Sequence, residues 1–175
     1  MKIKKFTLLW LVPVSLIVSL TLVLNSCNTR DEKVCCSGTG GITLDISSLP
    51  AGPLPAVFNV DNVTGNRIYN QVKRTGASLR CLGREEFPPG SGNWKDAAVM
   101  LLFSQLPCRV CTITFEVHGH DNEARIVATQ RDGTTQTALC PGDRRVLALY
   151  AGRDNPFTWV ILSGQEAEWL KIRLE

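Results

Sequence analysis

By type and spacing, the residues best suited to chemistry are Cys108-Arg109-Val110-Cys111 followed by His118 and His120, the chain's only histidines. Two thiolates and two imidazoles make a tetrahedral zinc set. His118 and His120 flank Gly119 and so share one face of an extended segment, although zinc motifs usually space their histidines more widely. A Cys-x-x-Cys pair serves redox chemistry when its first thiol opens a helix, whose dipole lowers the thiol pKa. The residues after Cys108 alternate as a strand instead, which argues against that use. No cofactor is expected, and Cys108, Cys111, His118 and His120 stand only as an alternative metal set.

The remaining candidates are carboxylates and aromatics. Glu85 and Glu86 precede a proline-glycine loop, and Glu166 and Glu168 flank Ala167. Glycoside hydrolysis needs two carboxyls facing each other across a cleft, which adjacency in sequence does not provide. Serine-hydrolase, zinc-protease and phosphate-loop motifs are absent, which removes several common enzyme classes, and we expect no catalysis. Trp94 follows a glycine-rich loop, where its indole either stacks on a sugar ring or folds back to cap the domain. Arg153 and Asn155 sit in a polar loop that offers hydrogen bonds to a ligand or simply makes a turn. Trp159 and Trp169 fall within strands and are expected in the core.

These residues need elements to hold them, and the sequence predicts strands. Residues 42–46, 57–60, 66–72 and 78–82 are extended candidates, the last two weaker. Residues 97–106 suit a buried strand better than a helix because Pro107 ends them. Residues 110–117 alternate, with Cys111, Ile113, Phe115 and Val117 on one face. Residues 124–129 lead into Arg131-Asp132-Gly133-Thr134, a hairpin signal, and 145–150, 157–162 and 169–174 supply three more strands. Many short strands with turn signals between them and no long amphipathic helix predict an all-β antiparallel sandwich or barrel.

The N-terminus sets the compartment. Lys2, Lys4 and Lys5 precede an apolar run from residue 6 to 24, as in an export signal. Leu24-Asn25-Ser26-Cys27 then resembles the lipobox of bacterial lipoproteins, with Asn25 a departure from the commoner small or aliphatic residue. The resemblance implies cleavage before Cys27, lipid on its thiol, and a mature chain held extracytoplasmically at a bacterial membrane, at the outer membrane or cell surface in a Gram-negative cell. Ordinary secretion and an uncleaved membrane helix remain alternatives. We divide the chain into a signal peptide (1–26), a lipidated cysteine with a flexible tether (27–41) and a β-sandwich domain (42–175). The net charge of +3 rests on the three leader lysines, leaving 16 basic against 16 acidic residues in the mature chain. Nothing there predicts a nucleic-acid partner.

Cys35, Cys36, Cys81, Cys108, Cys111 and Cys140 remain once Cys27 is set aside. In an exported chain they read first as disulfides, with 15 connectivities open for three bridges. Neighbouring Cys35 and Cys36 rarely bond to each other, so we expect them to staple the tether to the domain.

Several segments recur in a familiar order: Leu49-Pro50-Ala51-Gly52-Pro53, Phe115-Glu116-Val117, the turn at 128–133 and the close at 160–172. Together they resemble the jelly-roll, galactose-binding-like sandwich modules of bacterial exported proteins. That resemblance implies a non-catalytic module binding carbohydrate, sometimes with a structural calcium. The alternative is a structural lipoprotein that docks a protein partner of the envelope.

Overall fold

A computed structural model describes residues 33–69, 71–120 and 123–175. The lipidation site Cys27 and the apolar run at 6–24 lie outside the described residues. From Lys33 to Glu175 the chain forms one unit, and among the described residues its only helical pieces are two 3-10 turns, Cys36–Thr39 and Ile46–Ser48.

Fourteen strands follow one another among the described residues: β1 Ile42–Thr43, β2 Gly52–Pro53, β3 Val57–Val60, β4 Val63–Arg67, β5 Val72–Thr75, β6 Ser78–Cys81, β7 Arg84–Glu86, β8 Trp94–Leu102, β9 Thr112–His118, β10 Glu123–Gln130, β11 Thr135–Pro141, β12 Arg144–Tyr150, β13 Phe157–Gly164 and β14 Glu168–Leu174. They build two antiparallel seven-stranded sheets. The first runs β12-β9-β14-β6-β5-β2, with β1 also paired to β14. The second runs β11-β10-β13-β8-β4-β3, with β7 also paired to β8. The molecule is therefore an all-β sandwich, as the strand pattern predicts.

Alternation explains the packing. In β9, Ile113, Phe115 and Val117 point inward and are fully buried; they meet Trp169, Ile172 and Leu174 of β14, and Leu79 of β6. The second sheet contributes Val99, Leu101, Ile126, Val160 and Leu162. Each such side chain stabilises the fold by about 1.5–3 kcal/mol through burial. Trp169 packs edge-on against Phe115, with ring centroids 6.0 Å apart. Trp159, expected in the core, points outward and is only half-buried. Its neighbours Val160 and Leu162 take the inward positions of β13, so the period of two sends Trp159 to the other face.

Turn chemistry fixes the hairpins. Asp61 and Asn62 both have positive φ, 48° and 63°, and join β3 to β4 through the mirror-image turn that suits strand twist. Gly133, at φ 88°, closes the predicted β10–β11 hairpin, where the Asp132 carboxylate accepts the Thr134 N–H at 2.8 Å. The first predicted strand is shorter than expected: after Thr43 the chain leaves the sheet, and Asp45 caps the second 3-10 turn through the Ser47 N–H.

The sandwich has two chemically different ends. At one, Val110 bridges to Phe157, linking the sheets, and the Cys111 and Thr112 amides both donate to the Glu175 carbonyl. Cys35–Cys111 and Cys36–Cys108 disulfides hold the incoming chain there. Composition reads residues 27–41 as a flexible tether, but from Cys35 on the chain is held: Cys36 is fully buried and its N–H donates to the Arg109 carbonyl at 2.9 Å. We call this the stapled end. At the other, open end, β9 finishes at His118 and β14 begins at Glu168, while β13 finishes at Gly164 beside Ala97.

Candidate functional site

Cys108 and Cys111 are not partners of each other; each bonds one of the adjacent cysteines 35 and 36. This matches the expected stapling and removes both the Cys-x-x-Cys redox pair and the four-residue zinc set, because neither sulfur is a free thiolate. Two disulfides mark the domain as extracytoplasmic. A third bridge does not form: Cys81 and Cys140 are free and buried. Burial pushes the Cys81 thiol up to about 12, with the Trp169 indole N–H pulling slightly the other way. Cys81 is therefore a protonated, inert core residue.

The histidines find a different third partner. His118 ends β9 and is in register with Glu168 of β14 on one side and Arg144 of β12 on the other. His120 has a left-handed backbone, φ 53°, and its imidazole stacks on that of His118 with centroids 3.8 Å apart. The Nε2 atom of His120 lies 3.3 Å from Oε2 of Glu168. One donor atom from each of His118, His120 and Glu168 falls within 4.8 Å of the others. All three residues are half-buried.

The strands below hold the carboxylate. Glu168 is in register with Arg80 of β6, and Ser78, buried two residues earlier, donates its hydroxyl to Glu168 Oε1 at 2.6 Å. Partial burial alone would raise the Glu168 pKa, but Ser78, His120 and the Arg80 charge outweigh it and hold the carboxyl below its ordinary value. Gly142 supports His120 from beneath: a Cβ there would come within 3.0 Å of the His120 carbonyl oxygen. With φ 81°, Gly142 also occupies backbone space that side chains rarely enter.

The aromatic lead sits at the same end but on the other sheet. Trp94 opens β8 opposite Glu86 of β7 and is 55% exposed; Phe87, next to Glu86, is 54% exposed. Tyr69 meets the Phe87 ring at a centroid distance of 5.8 Å. The connecting loop is pinned from within, because the Gly90 and Gly92 amides both donate to the Glu86 carboxylate. Both glycines have positive φ, which lets their N–H groups converge on one anion. Those two amides, Gly90 first, hold the Glu86 carboxyl below its usual range.

Arg153 and Asn155 do not join Trp94. They precede β13 at the stapled end, while Trp94 lies past Ala97, the partner of Gly164 at the opposite end of that strand. Asn155 is occupied structurally: its side-chain oxygen accepts the Asp132 N–H at 3.1 Å and its carbonyl accepts the Gln130 amide at 3.0 Å. The Arg153 carbonyl accepts from the Arg109 guanidinium at 3.3 Å. The loop at 153–155 braces the β10–β11 hairpin.

In the sequence the histidines follow Cys108 and Cys111; in the fold those sulfurs are in disulfides, and the histidines lie beside Glu168 instead. Glu168 is 48 positions from His120, and only strand register brings them together. A usable signal existed in the histidine pair at a strand end, which calls for a third donor from an adjacent strand. Of the carboxylates offered as acid–base pairs, Glu86 is bound to its own loop and Glu168 to Ser78 and His120.

No protein-family model and no curated protein matches this chain. The fold and its chemistry define it as a disulfide-bonded, extracytoplasmic β-sandwich domain.

Proposed function

We propose that this chain is a lipid-anchored extracytoplasmic lipoprotein whose sandwich is a non-catalytic binding module for a glycan or envelope polymer. The observation that carries the reading is the aromatic hairpin of the open end. Trp94 and Phe87 are large, apolar and more than half exposed, on a loop whose shape its own Glu86 fixes. An indole held in place before binding stacks on the apolar face of a sugar with little ordering cost.

Placement supports the same reading. The chain enters the domain at Cys35 and Cys36, eight and nine residues after Cys27 in sequence, so a lipid on Cys27 would attach to the domain through its stapled end. The resemblance to jelly-roll, galactose-binding-like modules agrees with a carbohydrate ligand. A depression of about 180 Å³ on the first sheet, lined by Thr114, Glu116, Val146, Lys171 and Arg173, is smaller than the about 300 Å³ at which enclosed small-molecule pockets begin.

A protein-docking role is the second reading, favoured by one observation: Val146 and Tyr150 on edge strand β12 are each 68% exposed. An edge with apolar side chains accepts an added strand. A glycan array with wild-type protein, Trp94→Ala and Phe87→Ser decides between them. Glycan binding lost in both variants supports the first reading; binding that survives both removes the hairpin from it. No glycan bound, with a protein partner released by Val146→Lys, establishes the second. The intact mass of the membrane-extracted protein tests the anchor, which requires cleavage before Cys27 plus acyl chains.

A further inference from the structure

We propose that His118, His120 and Glu168 form a binding site for a divalent transition-metal ion, with zinc the reference case, and with one coordination position left open at the surface.

The donor set is the first argument. Two imidazoles and one carboxylate are the ligands zinc takes where three protein groups and one exchangeable ligand complete a tetrahedron. Metal–ligand bonds of about 2.0–2.1 Å place tetrahedral donors about 3.3 Å apart. His120 Nε2 and Glu168 Oε2 already stand 3.3 Å apart. The full triad, within 4.8 Å, closes to that size by small side-chain rotations of half-buried groups.

Orientation is the second. A metal-bound carboxylate is normally fixed by a hydrogen bond to its other oxygen. Here Ser78 occupies Oε1 at 2.6 Å, leaving Oε2 as the atom turned toward His120. The left-handed backbone at His120, φ 53°, returns its imidazole to the His118 ring, with centroids 3.8 Å apart. Binding a shared cation requires the two rings to turn out of this stack so that their in-plane lone pairs converge on one point.

Calcium does not suit this set, since it takes six to eight oxygen donors. Among the described residues this is also the single grouping of three or more histidine, cysteine or acidic donors. Arg80, opposite Glu168, is the charge that opposes a cation. Arg144, opposite His118, is neutralised by its hydrogen bonds to Glu116.

The experiment uses the full chain, purified in detergent without a histidine tag, and titrates Zn2+ in competition with a chromophoric chelator. One ion per chain is expected. The double variant His118→Ala/His120→Ala should lose it, and Ser78→Ala should bind about 10-fold more weakly, the usual effect of removing an outer hydrogen bond. Arg80→Ala should bind at least as tightly as wild type. Co2+ bound to the wild-type protein should give a tetrahedral spectrum with no thiolate charge-transfer band. Should the double variant misfold, the wild-type chain alone decides: with only two histidines in the sequence, Zn2+ must protect both from diethyl pyrocarbonate. Unprotected histidines, unchanged affinity in a folded double variant, displacement by Ca2+, or a thiolate band from Cys81 or Cys140 would each overturn the site.

Discussion

At the stapled end, Cys35 and Cys36 tie the incoming chain to Cys111 and Cys108, and the C-terminal carbonyl of Glu175 accepts two amides from the same segment. At the open end there is no disulfide among the described residues. The chain itself crosses between the sheets from β13 to β14, and backbone hydrogen bonds hold that crossing, from the Cys81 N–H to the Ala167 carbonyl and from the Gly83 N–H to that of Gln165. The polar groups there turn outward into an imidazole–carboxylate cluster and an aromatic hairpin. One end spends its cysteines on closure; the other leaves its reactive side chains half-exposed. The contrast is one of placement: covalent constraint sits where the chain enters the domain, and the exposed side chains sit on loops that the rigid scaffold carries at the far end.

The largest expected effect breaks the stapled end. Replacing all four bridged cysteines by serine should cost about 6 kcal/mol and lower Tm by roughly 12 °C or more, measured by calorimetry. Because the loops nearly coincide, the first bridge removed should cost less than the second. Cys36–Cys108 alone closes a loop spanning 72 positions, worth about 4 kcal/mol on loop-closure grounds. Once it is formed, Cys35–Cys111 closes only a ring of a few residues, so Cys35→Ser/Cys111→Ser should cost about 2 kcal/mol. Equal large losses from either pair would mean that the bridges act on native packing and not on chain entropy.

A matched pair of tryptophan truncations sharpens the contrast between core and open-end surface. Trp169→Ala, at a fully buried site, should destabilise the fold by about 3–5 kcal/mol. Trp94→Ala, at an exposed one, should change stability by less than about 0.5 kcal/mol while abolishing glycan binding. Chemical denaturation beside the binding assay reads both, and a large stability loss at Trp94 would make it a structural cap.

The smallest effect is a pH response of the hairpin loop. The Glu86 carboxyl is lowered by its two amide hydrogen bonds, so its contribution to loop order is complete above the ordinary carboxylate range. That order is lost as pH falls through the lowered folded value. Amide exchange at Gly90 and Gly92 should accelerate in acid in the wild-type protein. Glu86→Gln should exchange faster already at neutral pH and respond less to acid.

Much of this molecule was written in local pattern. Period-two alternation at residues 110–117 grouped Ile113, Phe115 and Val117 on one face, the face that β9 buries, and Asp132-Gly133 marked the β10–β11 hairpin, because both signals act over a few residues. The polar segment before Gly41 read as tether because composition reports flexibility and not covalent ties; two disulfides to residues more than 70 positions away overrode it. Trp159 failed for a related reason, since alternation says that one face is buried but not which.

By itself, then, the sequence determined the all-β class, the β10–β11 hairpin turn, and the destination of Cys35 and Cys36 on the domain. Those properties follow from backbone stereochemistry, alternation and cysteine usage, all of them legible within a window or a count. Only the tertiary structure decided that Cys81 and Cys140 stay unpaired, that Arg153 and Asn155 lie at the opposite end from Trp94, and that Glu168 meets His118 and His120. Each of those depends on strand order and register. In an antiparallel sandwich with long-range pairing, residues distant in sequence become neighbours through the hydrogen-bonded ladder, which no local pattern encodes.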